Sequence, residues 1–178
     1  MSENKNTLVV NLFAGAGAGK STFSASLFAE LKKRGVDCEI ATEYAKDCVW
    51  EDRTEVFNHQ LYITGKQYYR IARVIGKVDV VITDSPLLLG AIYDVDHNKN
   101  FKNYLLDIHN SWNNFNIFLM RNEDYNQNGR NQTLKEAITY DKDILKLLNN
   151  NDIQYTYCMR DDVNDMADVV QEILNGEW

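Results

Sequence analysis

Short, nearly unbroken apolar runs alternate along this chain with longer segments in which apolar residues recur every three or four positions. The first pattern is how a strand buried on both faces reads, and the second is how a helix with one packed face reads. Runs at residues 7–13, 38–42, 78–83, 116–120 and 153–159 predict five strands. A helix is predicted over 20–34, where Phe23, Leu27 and Leu31 are spaced four apart and Gly35 is the stop. The clearest periodicity covers 54–75, with Phe57, Leu61, Thr64, Tyr68, Ile71 and Ile75 on one helical face. Further helices are expected over 103–111, over 132–148 (Leu134, Ile138, Leu145 and Leu148 on one face) and over 163–174. Ser85 and Pro86, just after the third strand, predict an N-cap and a first helical position. Strands and helices alternating at this spacing require right-handed crossovers. The expected fold is therefore α/β, with a five-stranded, mostly parallel sheet between two helical layers.

Composition sharpens this only slightly. With 178 residues, 44% of them hydrophobic and 25% charged, the chain suits one domain over 1–178 with a real core. The polar stretch 122–131, which contains Gly129, is expected to be a short lid. A net charge of −7 argues against a surface built as a whole to hold nucleic acid, while leaving room for a local basic site. Cys38, Cys48 and Cys158 are scattered and read as reduced thiols. No run approaches the roughly 18 apolar residues of a membrane span. The polar residues 1–6 carry no apolar signal region, so the expected setting is cytoplasm, of a cell or of an infected host.

The chemistry lies between the first strand and the first helix. Gly15, Ala16, Gly17, Ala18, Gly19, Lys20, Ser21 and Thr22 form a Walker A phosphate loop in its physical essentials. Backbone N–H groups that wrap a phosphate need residues lacking a Cβ at the points of close approach, and the following helix adds its positive end. Ala14 stands where the formal pattern has glycine, and Gly15 is expected to supply the turn's flexibility instead. Lys20 is expected to reach the β- and γ-phosphates of ATP, and Ser21 to hold Mg²⁺. Asp84, ending the third strand after an apolar run, is the expected second group of the magnesium site.

Other features select among P-loop chemistries. No Asn-Lys-x-Asp guanine reader follows the strand that ends at Met120. Glu43 closes the second strand, at the sheet edge where α/β proteins bind ligands, and is a candidate base for an acceptor hydroxyl. Arg121 ends the fourth strand, and Tyr125, Gly129 and Arg130 follow it. The two arginines are candidates for neutralising charge on a transferring phosphate. In the long helix, Phe57, His59, Gln60 and Tyr62 are candidates for stacking on, or hydrogen bonding to, an acceptor base.

The runs GAGAGKST, TEYAKD, VVITDSPLLL and FLMRN…YNQNGRNQT, with the glutamine-bearing helix among them, resemble the small P-loop nucleoside and nucleotide kinases. Within these the chain looks most like an AAA-labelled kinase group of phage genomes, related to the ribosylnicotinamide kinase domain. The resemblance spans about 7–144. It implies a kinase fold with Glu43 near the acceptor, Asp84 near the metal, and Arg121 and Arg130 at the lid. The resemblance to phage P-loop kinases also implies an alternative, a kinase of a hydroxymethylated base in DNA, for which the basic helical stripe of Lys66, Arg70, Arg73 and Lys77 is the surface expected to follow a phosphate backbone. A nucleotide-binding regulator with little turnover is the third class.

Overall fold

A computed structural model describes residues 5–121 and 134–178. Five strands form one sheet: β1 (Leu8–Phe13), β2 (Cys38–Ala41), β3 (Val80–Thr83), β4 (Asn113–Leu119) and β5 (Thr156–Cys158). Their spatial order is β2-β3-β1-β4-β5, and all four pairings are parallel. Parallel neighbours need crossovers, which the helices provide: α1 (Lys20–Lys33), α2 (Tyr44–Trp50), α3 (Gln60–Ala72), α4 (Leu89–Tyr93), α5 (Lys99–Asn110), α6 (Leu134–Asn150) and α7 (Val163–Asn175).

Alternation along β1 divides the core. Leu8, Val10 and Leu12 pack with Phe23, Leu27 and Leu31 of α1 and with Met166 and Val170 of α7. Phe13 points to the other face, into a cluster with Leu105 of α5 and with Ile144 and Leu148 of α6, and Val9 packs with Ile71 of α3. The three-layer α/β arrangement is thus present, with β1 at its centre. Since β1 lies between β3 and β4, the order of strands turns at its carboxyl end, where open α/β sheets form their ligand crevice.

Several boundaries differ from expectation, each for a local reason. The predicted 54–75 helix is two pieces, a 3-10 helix (Thr54–Asn58) and α3, separated by His59 at φ −124°, ψ 69°. The inner face of α3 carries Ile63, Thr64, Gln67 and Ile71, whereas Leu61 is 71% exposed and Tyr68 turns outward to stack on Trp112. Gln67 finds hydrogen-bonding partners in Tyr44 and Thr83 on the surface that α3 meets, so a polar side chain occupies a position that an apolar count assigns to solvent. The helix predicted at 103 begins at Lys99, because the side chain of Asn98 accepts from the N–H groups of Asn100 and Phe101 at 3.0 and 3.1 Å. The fourth strand begins at Asn113 rather than 116. Its early asparagines are satisfied in the sheet, where Asn11 Nδ2 donates to Asn114 Oδ1 at 2.9 Å and to Asn116 Oδ1 at 3.1 Å. The short α2 has no counterpart among the predicted elements.

Candidate phosphate and acceptor site

β1 delivers the chain into the phosphate loop through Ala14, which is fully buried in the core beneath the loop. The next residue has a different role from the one expected. The left-handed positions of the turn are Gly17 (φ 80°) and Gly19 (φ 101°), whereas Gly15 is needed for space. A Cβ on Gly15 would lie 2.5 Å from the carbonyl oxygen of Ala137 in α6. Ala18 is buried in the core, while Ala16, Gly17, Gly19, Lys20, Ser21 and Thr22 line a cavity of about 640 Å³. Gly19 is the N-cap of α1 and contributes no side-chain cap, so the helix's first N–H groups remain available to a ligand.

Lys20 folds back over the loop, with its Nζ donating to the carbonyls of Ala14 at 2.7 Å and Gly15 at 3.1 Å. Burial pushes its ammonium below the usual lysine range, and the nearby Glu43, Asp84 and Asp141 carboxylates oppose that fall. Adjacent to it, Ser21 Oγ donates to Asp84 Oδ2 at 2.6 Å. This contact follows from topology: β3 pairs directly with β1, so the ends of the two strands sit side by side. Asp84 is buried, and its Oδ1 is the buried side-chain oxygen without a hydrogen-bond partner among the described residues. A serine hydroxyl beside a buried carboxylate oxygen that lacks a donor is an all-oxygen set suited to a hard divalent cation such as Mg²⁺.

The expected helix start at Ser85-Pro86 does not occur. Ser85 N–H donates to Thr83 Oγ1 at 3.2 Å, the chain turns through Pro86, and α4 begins at Leu89 with Leu88 as its N-cap. The delay brings Gly90 against α3, where a Cβ would meet Thr64 Oγ1 at 2.5 Å.

Glu43 occupies the N-cap position of α2 but makes no side-chain cap bond, and it lines the cavity. Burial raises its carboxyl above the usual range, against the pull of the Lys20 charge. The backbone beside it is braced by Gln67, whose Oε1 accepts from Tyr44 N–H at 2.9 Å while its Nε2 donates to Thr83 Oγ1 at 3.4 Å. That buried glutamine ties the ends of β2 and β3 to α3. Of the four acceptor candidates on this segment, Phe57 and Gln60 line the cavity, and His59 and Tyr62 do not. Tyr62 is instead engaged with Tyr44, hydroxyl to hydroxyl at 2.9 Å.

Several wall residues carry no signal that a sequence reading picks up. Val49 and Trp50 come from α2, and Leu87, Leu89 and Tyr93 from the segment after β3. The four-residue spacing of Tyr44 and Cys48, both buried, is the one trace of α2 in the sequence, and it is too short to register as a period. Arg160, after β5, lays its aliphatic stem along the loop, within 3.0 Å of where a Gly19 Cβ would be.

Arg121 reaches the loop from the end of β4, with its Nη1 donating to the Ala16 carbonyl at 2.7 Å. Its Nε and Nη2 both donate to Asp141 Oδ2 of α6, at 3.1 and 3.0 Å. Tyr125, Gly129, Arg130 and the predicted lid at 122–131 lie outside the described residues. In the basic stripe, Arg70 is ion-paired with Asp47, donates to Thr42 and lies over the Tyr44 ring, so it is partly engaged within the fold.

Known proteins resemble this arrangement. A family profile described as an AAA domain matches residues 9–165. No curated protein sequence matches the chain. Among solved structures, the NadR protein in complex with NR superposes with a TM-score of 0.68 at 13% identity, over 96% of this chain and 52% of that one. This chain thus spans about half the length of that NadR chain. A deoxyadenosine kinase from M. mycoides, bound to the products dCMP and dCDP, gives a TM-score of 0.52 at 19% identity, over 94% and 99% of the two chains. The same enzyme with bound dATP gives 0.50 at 19% identity, over 93% and 98%. The chain shares its fold with these structures. Among the described residues no helix is long and apolar enough to cross a membrane.

Proposed function

The chain belongs to the AAA-domain family, and from that premise we propose that it is an ATP- and Mg²⁺-dependent kinase whose acceptor is nucleoside- or nucleotide-like. One observation carries the reading: a single cavity joins the phosphate loop, through Lys20 and Ser21, to Glu43 and a wall of Phe57, Gln60 and Tyr93. A cavity that extends beyond the phosphate loop has room for a second substrate at its other end. Aromatic faces, an amide and a carboxylate suit a flat base attached to a sugar hydroxyl.

In this reading the loop N–H groups and Lys20 hold the triphosphate, while Ser21 and Asp84 hold Mg²⁺. When bound, the ion neutralises charge on the β- and γ-phosphates. Glu43 orients the acceptor hydroxyl and takes its proton as the hydroxyl oxygen bonds to the γ-phosphorus. The bond from that phosphorus to the β-phosphate oxygen breaks, and ADP leaves. The raised pKa of Glu43 makes it a stronger base than a solvated carboxylate. Arg121 and Arg130 stabilise charge on the phosphoryl group during transfer.

The test is ADP release from ATP and Mg²⁺, with and without nucleosides, nucleoside monophosphates, nicotinamide riboside and hydroxymethyluracil-containing DNA. Stimulation by one small molecule supports the reading and names the acceptor. Stimulation only by modified DNA moves the function to DNA modification. ATP binding with no stimulation makes the chain a regulator.

A further inference from the structure

Asp141 belongs to no sequence motif and lies in the middle of α6, yet it touches the phosphate loop directly. Its Oδ1 accepts from Gly15 N–H at 2.5 Å, and its Oδ2 accepts from both Nε and Nη2 of Arg121. Arg121 completes a ring by donating Nη1 to the carbonyl of Ala16 at 2.7 Å. The two residues that open the loop are therefore gripped from both sides, one by its donor and the next by its acceptor. Both charged side chains are largely shielded, at 11% exposure for Arg121 and 17% for Asp141, so their attraction is weakly screened. Gly15 is what lets α6 approach this closely, since any Cβ there would collide with the Ala137 carbonyl.

We propose that Asp141 is a positioning residue of the phosphate site, setting both the shape of the loop at Gly15–Ala16 and the direction of the Arg121 guanidinium. An arginine at the edge of a triphosphate site is attracted to phosphate in several orientations. The carboxylate selects one before ligand arrives, which removes a reorganisation cost from binding. The charge is what matters. An asparagine could still accept from Gly15, but its NH₂ would face the N–H groups of Arg121, donor against donor. The inference rests on the reading of residues 15–22 as a triphosphate site.

The test is calorimetric titration of the full chain with MgATP, for wild type, D141N, D141E, R121Q and the D141N/R121Q double variant, with unfolding midpoints measured in parallel. D141N is expected to weaken MgATP binding roughly 10- to 100-fold at a temperature where its circular dichroism matches wild type, and to lower the unfolding midpoint as well, since it removes the charge that faces a shielded arginine. D141E, which keeps the charge, should fall between the two. The double variant should bind no worse than about the weaker single one, because the two residues act as a unit. Wild-type affinity in D141N would overturn the proposal, as would losses that simply multiply in the double variant. If D141N does not fold, D141E decides: a modest loss supports the role and wild-type affinity overturns it. Failure of the wild type itself to bind MgATP would instead remove the phosphate-site reading on which this rests.

Discussion

Ser21 Oγ lies 2.6 Å from Asp84 Oδ2, and this contact leaves the carboxylate's other oxygen buried with no partner among the described residues. One hydroxyl donor cannot satisfy a buried carboxylate, and such a group normally finds two or more partners. The arrangement supports the proposal that Ser21 and Asp84 hold a cation. Asp84→Asn removes the anionic oxygen without changing the side chain's size. The Mg²⁺-dependent part of ATP affinity should fall about 10- to 100-fold, while affinity measured in EDTA stays near wild type. Equal losses in the two titrations would show that Asp84 shapes the loop rather than serving a metal.

Lys20 Nζ sits over the loop carbonyls of Ala14 and Gly15, and in the proposed function its charge serves the phosphates. Lys20→Ala should lower acceptor-stimulated ADP release by roughly 10²- to 10³-fold, as loss of one preorganised charge does. The circular dichroism spectrum and unfolding midpoint should stay close to wild type. Retained turnover would exclude Lys20 from the reaction.

Glu43 links activity to stability. Glu43→Gln should reduce turnover by about 10²- to 10⁴-fold with little change in ATP affinity. Its stability should move the other way. Because burial raises the folded-state pKa of Glu43, the folded state binds this proton more tightly than the unfolded chain does. The stability it contributes is full below the unfolded-state value, near the ordinary 4.5, and is lost as pH rises through the folded value. Glutamine removes that loss. The unfolding midpoint of E43Q should therefore gain on wild type as pH is raised from 4 to 7, and a constant difference would contradict the burial argument.

Two glycines should respond oppositely to alanine. Gly65 lies mid-helix in α3 with nothing within 4 Å of where a methyl would sit, so Gly65→Ala should stabilise by about 0.5–1 kcal/mol through helix propensity alone. At Gly15 the same methyl meets a backbone carbonyl at 2.5 Å, and Gly15→Ala should cost about 1–3 kcal/mol as α6 is forced back. Urea denaturation of the two variants checks both signs.

His109, at the end of α5, provides a pH test remote from the site. Burial lowers its pKa from 6.5 to about 4, so its contribution to stability is present above 6.5 and lost as pH falls through 4. About 3 kcal/mol should disappear over that window. In His109→Gln the acid limb of the stability curve should be flatter, as measured by denaturation between pH 4 and 7.

What the sequence determined by itself was whatever depends on neighbours along the chain. Strand and helix periods are local, so the α/β alternation and the sheet's parallel character were legible from five apolar runs and the helices between them. A phosphate loop needs its glycines, lysine and hydroxyl consecutively, so residues 15–22 were legible as well. Glu43 and Asp84 could be picked out because each ends a strand, and strand ends share one edge of a parallel sheet. Tertiary structure alone decided the rest. Leu61 and Tyr68 face outward and Gln67 inward because of what α3 meets, which no period of its own residues encodes. Gly15 is a glycine because of a carbonyl at Ala137, and Asp141 grips the loop from 126 positions away. Such contacts join residues that the chain keeps far apart. Their chemistry is fixed by distance in space, and only the packed fold sets that distance.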